Sequence, residues 1–201
     1  MRLLVATRNR GKIAELQRLL ADLPGVELVG LDAFEGVPDV VEDADSFEGN
    51  AVKKACEHAK ATGLPTLADD SGLVVDALDG APGIYSARYA GAHGDDAANN
   101  AKVLRELEGV PRERRSARFV CALAFADASG ELVRVERGAI EGHILTEERG
   151  DGGFGYDPMF LPVGETRTTA EMPADEKNAI SHRAVASRAM CEFLREQLRS
   201  D

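Results

Sequence analysis

The 201-residue sequence contains no tryptophan, three cysteines and four histidines, and aromatic residues make up only 5% of it. Cys56, Cys121 and Cys191 lie far apart and form no CxxC pair. An odd, scattered set of this kind speaks against a disulfide framework and a cysteine zinc site, leaving three ordinary buried thiols. His58, His93, His143 and His182 include no HxxxH pair, so zinc chemistry of that type is not expected either. Long hydrophobic runs are missing: nothing approaches the roughly 20 apolar residues of a membrane span. Residues 2–6 read as a strand and not as a signal-peptide core. Positive charge is scarce too, with 24 Lys+Arg against 35 Asp+Glu and a net charge of −11. Binding a nucleic-acid backbone needs a basic surface, so such a partner is disfavoured. The expectation is a cytoplasmic protein with no membrane and no nucleic-acid partner.

What is present fits one globular domain over residues 1–201, with 44% hydrophobic and 29% charged residues. Residues 2–6 predict a buried strand, and Ile13, Leu16, Leu19, Leu20 and Leu23 then recur at helical spacing. A second strand follows at 26–31 and an acidic loop at 39–45. Ser46 is placed to cap a helix through about residue 61, closed by Gly63 and Pro65. Short strands are expected at 66–68 and 73–78, separated by Asp69-Asp70-Ser71-Gly72. Residues 79–94 read as loop, and a helix capped by Asp95 or Asp96 follows. Strands at 117–126 and 131–145 flank a hairpin signal, Asp127-Ala128-Ser129-Gly130. The chain ends in a helix capped by Ser181, with Val185, Ala189, Phe193, Leu194 and Leu198 on its apolar face. Alternating elements followed by a hairpin predict an α/β fold with a mixed sheet flanked by helices. The cluster Arg112, Arg114, Arg115 and Arg118 reads as a solvated edge.

Four segments carry candidate chemistry. Thr7-Arg8-Asn9-Arg10-Gly11-Lys12 is a strand-to-helix turn where helix N–H groups and Lys12 could hold a phosphate, although it is no P-loop. Glu42, Asp43, Asp45 and Glu48, together with Asp69 and Asp70, offer hard oxygen ligands suited to Mg²⁺. Adjacent carboxylates amid apolar residues, as at Asp69-Asp70, need a metal, a catalytic role or a capping role to be tolerated. Residues 152–158 (GGFGYDP) combine permissive glycines with Phe154 and Tyr156, which can stack on a flat ligand or fill the core. Lys177, His182 and Arg183 sit around the start of the last helix, where a cation opposes the helix dipole. An anionic or carbonyl-bearing ligand relieves that conflict, as does a salt bridge with Asp175 or Glu176.

Taken in order, LVATRNRGKIAEL, SFEGNAVKKA, LADDSGLVVDALDGAPGIYSARYAG, GGFGYDPMF and EKNAISHRAVA resemble the non-canonical purine nucleoside triphosphate pyrophosphatases, the inosine triphosphatase-like family. The similarity runs from about residue 3 to 190. It implies a twisted mixed sheet in two lobes around a central cleft, a homodimer, and Mg²⁺-dependent hydrolysis of ITP, dITP and XTP to monophosphate and pyrophosphate. By motif, Thr7, Arg8, Asn9, Arg10, Gly11 and Lys12 would hold the phosphates. Glu42 and Asp70 would bind Mg²⁺, with Asp69 a further ligand and Asp70 also the proton acceptor for water. Ser71, Phe154, Gly155, Tyr156, Asp157, Lys177, His182 and Arg183 would contact the substrate. The chain departs from the family pattern at Glu42-Asp43-Ala44-Asp45, where Asp43 or Asp45 could replace Glu42, and at Arg8 and Arg10, where smaller residues are common. A Maf-type pyrophosphatase and a nucleotide sensor without turnover are the alternative readings.

Overall fold

Local signals set most element boundaries. Helix α1 (Arg10–Leu19) follows strand β1 (Arg2–Val5), and its N-cap Asn9 accepts the Lys12 N–H at 3.1 Å. After β2 (Glu27–Gly30), helix α2 (Phe47–Thr62) starts where Ser46 Oγ accepts the Gly49 N–H, and it stops at left-handed Gly63. Strand β3 (Thr66–Val75), helix α3 (Asp96–Glu106) and strands β4 (Ser116–Ala126), β5 (Leu132–Ile144) and β6 (Phe160–Pro162) follow. Helices α4 (Ala174–Ile180) and α5 (His182–Ser200) close the chain. This computed structural model describes residues 1–21 and 23–200, the side chain of Ser200 aside.

The strands form one six-stranded sheet in the order β2-β1-β3-β4-β5-β6. Parallel pairing of β1 with β2 and β3 and antiparallel pairing of β5 with β6 make it mixed, as the alternation of elements predicts. The chain divides into two compact units, one of Met1–Asp70, Cys121–Gly138 and Arg183–Asp201, the other of Ser71–Val120 and Ala139–His182. In the first, Leu3, Val5, Leu16, Leu67, Leu123, Met190 and Leu194 form a core with Cys121 and Cys191. Each fully buried leucine there contributes on the order of 1.5–3 kcal/mol. In the second, Leu73, Val75, Val103, Leu107, Phe119, Ile144, Tyr156, Met159 and Phe160 do the same.

Three expectations need correction. Residues 69–72 do not separate two short strands, because β3 runs unbroken through them. Gly72 makes this possible: a Cβ there would lie 2.6 Å from the Gly83 oxygen, so only glycine lets the 83–88 turn pack so closely. The buried face of α5 is Ala184, Ala186, Met190, Cys191 and Leu194, whereas Val185 is exposed. Its polar neighbours Arg183 and Ser187 are drawn inward by ionic and packing demands that a hydrophobic count misses. Arg115 is buried, giving hydrogen bonds to the Leu107, Val110 and Leu145 carbonyls, so it satisfies the end of α3 and is no solvated edge.

Candidate active site

Successive side chains on a strand face opposite sides of the sheet. Because β3 is continuous, Asp69 and Asp70 enter different surroundings within the first unit. Asp69 Oδ1 pairs with the Lys12 ammonium, and Oδ2 accepts from Arg183 Nε and the Cys121 thiol, each at 3.0 Å. Arg183 also pairs with Glu15 on α1. Burial alone would raise the Asp69 carboxyl, but the Arg183 and Lys12 cations overcome it and hold it well below the usual range. The same burial, aided by the Asp69 charge, pushes the Cys121 thiol far up and leaves it inert.

Asp70 faces α2. Its Oδ1 accepts from Lys54 Nζ at 3.1 Å and its Oδ2 from Asn50 Nδ2 at 3.3 Å. The same Lys54 ammonium lies 3.1 Å from Glu42 Oε1, so two carboxylates converge on one cation. Burial raises the Asp70 carboxyl most, Lys54 and Lys12 pull it down, and the Glu42 charge pushes it up again, leaving it at about 6. For Glu42, burial acts upward too, yet Lys54 outweighs it and the carboxyl stays below its ordinary value. The pair is thus divided into an ionised Glu42 and an Asp70 poised to exchange a proton near neutral pH.

This donor set fits a hard divalent cation. Mg²⁺ takes one or two carboxylates and completes its shell with water and phosphate oxygens. Glu42 and Asp70 converge on one ammonium, that of Lys54, so two carboxylates lie close enough to share a cation. Among the described residues no group of three or more His, Cys, Asp or Glu side chains is arranged to hold a metal ion. Asp69 differs from these two: its oxygens are committed to protein donors on the other face of β3. Asp43 turns outward to Lys53 at 2.6 Å, and Asp45 is exposed, so neither takes the place of Glu42.

In the turn before α1, Thr7 Oγ1 accepts the Asn9 N–H at 3.2 Å, which shapes the entry to the helix that Arg10, Gly11 and Lys12 begin. Arg8 reaches Asp39 at 2.9 Å, so this unusual side chain tethers the acidic loop.

In the second unit, Asp157 organises the glycine-rich loop. Its Oδ2 accepts the Phe154 N–H at 2.8 Å and Lys177 Nζ at 2.5 Å, and its Oδ1 accepts Thr169 Oγ1 at 2.8 Å. The Lys177 ammonium stands 4.8 Å from the centre of the Phe154 ring. Gly155 adjoins Phe154 in a left-handed conformation. Tyr156 is placed with the core and not as a stacking face: its ring is buried and its hydroxyl donates to the Ser86 carbonyl at 2.7 Å. His182 stacks on Phe119 with ring centroids 5.0 Å apart, and Ser71 continues β3 as a half-buried residue.

The structure therefore brings together Glu42 with Asp70, Lys12 with Asp69 and Arg183, and Phe154 and Asp157 with Lys177. Sequence reasoning gave no role to Lys54, Asn50, Glu15 or Thr169. The first two were visible only as part of the SFEGNAVKKA segment; their spacing of four places both on the buried face of α2. Glu15 was visible only as part of the LVATRNRGKIAEL segment, as a charge inside an apolar helical pattern.

A sequence model of the Ham1 family matches residues 3–193. A dITP/XTP pyrophosphatase of Streptomyces coelicolor is 53% identical over 199 residues, covering 98% of each chain. A second dITP/XTP pyrophosphatase, of Geobacter sulfurreducens, is 53% identical over 185 residues and 92% of each chain. The solved structure of a HAM1 protein from Coxiella burnetii superposes with a TM-score of 0.88 at 43% identity, covering 98% of this chain and 99% of that one.

Proposed function

We propose, from the premise that this chain belongs to the Ham1 family, that it hydrolyses dITP, ITP and XTP to the monophosphate and pyrophosphate and so removes deaminated purines from the nucleotide pool. The observation that carries this reading is the Asp70 carboxyl, buried, sharing Lys54 with Glu42 and titrating near 6. The curated names of relatives that match nearly end to end support the same substrates.

Asp70 accepts the proton of the water that attacks the α-phosphate, and Asn50 and Lys54 fix the direction of its oxygens. Lys12, steadied by Asp69, meets the phosphate charge, with Thr7, Arg8, Asn9, Arg10 and Gly11 forming the turn around it. Glu42 and Asp70 would hold Mg²⁺, while Asp69 anchors Lys12. When bound, the ion offsets charge on the phosphates and polarises the phosphoryl group. Ser71, Phe154, Gly155, Asp157, Lys177, His182 and Arg183 serve the purine, Phe154 by its ring face and Lys177 by donating to a 6-keto oxygen that adenine lacks. Tyr156 supports that loop from the core. We further propose that the enzyme works as a single catalytic domain in a cytoplasmic homodimer, a reading supported by the family resemblance. The net charge of −11 supports small nucleotides over nucleic acid as partners, and no helix among the described residues is long and apolar enough to cross a membrane.

Incubation of purified protein with Mg²⁺ and dITP, XTP, ATP or GTP, with products resolved, tests the reading. Monophosphate and pyrophosphate from dITP and XTP, with ATP and GTP nearly untouched, is the expected result. Release of orthophosphate and diphosphate, or tight binding with no product, would overturn it.

A further inference from the structure

The loop that carries Phe154 is held from a helix that sequence motifs did not mark. Gly155 has φ +62°, so the chain turns sharply directly after Phe154. Both peptide groups that join Gly155 to its neighbours are bound by α3. The Gly155 N–H donates to Asp96 Oδ2 at 2.7 Å, and its carbonyl accepts Asn100 Nδ2 at 3.1 Å. Asp96 and Asn100 are four residues apart and so share one face of the helix. On the other side of the ring, the Phe154 N–H is held by Asp157 at 2.8 Å. The backbone on both sides of Phe154 is therefore hydrogen-bonded to side chains of α3 and to Asp157.

Asn100 holds this position at a cost. It is 2% exposed, and its Oδ1 has no hydrogen-bond partner among the described residues. A buried amide satisfied at one end only weakens folding, and such local costs persist where position matters more than stability. Asp96, by contrast, is exposed and needs no partner for its own solvation.

We propose that Asp96 and Asn100 are positioning residues that clamp Gly155 and thereby fix the Phe154 ring for the purine. The proposal deepens the reading of Phe154 as a purine contact and rests on it. Loss of the clamp lets the ring move, weakening substrate through its base while the phosphate chemistry proceeds.

Steady-state hydrolysis of XTP and ATP by the full chain, with Asn100→Ala, Asp96→Ala and the double variant, tests this. Inorganic tripolyphosphate, which has no base, serves as a competing probe. Each single variant should raise KM for XTP about tenfold while kcat stays within about threefold, and the double variant should add little because both bonds serve one turn. Inhibition by tripolyphosphate should be unchanged. If Asn100→Ala fails to fold, Asp96→Ala at its exposed site carries the test. An unchanged KM, or a tripolyphosphate constant that rises in step with KM, refutes the clamp. Wild-type protein that leaves XTP and dITP uncut refutes the substrate reading itself, and the clamp with it.

Discussion

Replacing Asp70 by Asn should abolish turnover and, at neutral or higher pH without metal, make the protein more stable. The carboxyl titrates at about 6 where an ordinary aspartate has 3.8, a difference that disfavours the ionised form by about 3 kcal/mol. Its side chain is only 7% exposed, so solvent does little to screen this penalty. That balance already includes the attraction of Lys54 and the repulsion of Glu42. The sign follows from linkage. A carboxyl raised in the folded state favours folding only while it is protonated, so wild-type protein loses this stability as pH rises from 3.8 through 6. The neutral amide escapes that loss. At pH 8 Asp70→Asn should therefore gain up to about 3 kcal/mol, which for a chain of this length is a Tm rise on the order of 6–12 °C. At pH 4 the gain should shrink toward zero. Thermal unfolding by circular dichroism in EDTA at both values measures it. A variant less stable than wild type at pH 8, or a difference independent of pH, would refute the account of Asp70 as a charge held against its environment.

Lys54→Met removes the ammonium that hydrogen-bonds both Glu42 and Asp70, so the Asp70 carboxyl should rise further; the acid limb of the pH–rate profile should move to higher pH, with kcat reduced by about 10²-fold or more. Arg183→Met leaves Asp69 and Glu15 without their buried partner, and urea unfolding should show a loss of about 3–5 kcal/mol. Chelation by EDTA should stop hydrolysis while far-ultraviolet circular dichroism stays unchanged, because Lys54 already bridges the two carboxylates of the site.

Short-range chemistry made much of this molecule legible in its sequence. Ser46 and Gly63 bound α2 because a hydroxyl cap and a left-handed glycine act within one turn of the helix they terminate. The hairpin between β4 and β5 was readable from Asp127 to Gly130, where the Asp127 carboxylate itself accepts the Ser129 and Glu131 N–H groups. Ordered motifs named the family segment by segment. Tertiary structure alone decided what the acidic pair does. Read locally, Asp69-Asp70-Ser71-Gly72 interrupts the strand, since nothing nearby in the chain can neutralise two carboxylates buried in it. The strand is held open by partners brought from afar: Lys54 from 16 residues away, Arg183 from 114. Those partners also set the difference between Asp69, an anchor for Lys12, and Asp70, poised near neutral pH. Hydrogen-bond caps are local and can be read along the chain; the energy of a buried charge depends on which distant charges the fold carries to it.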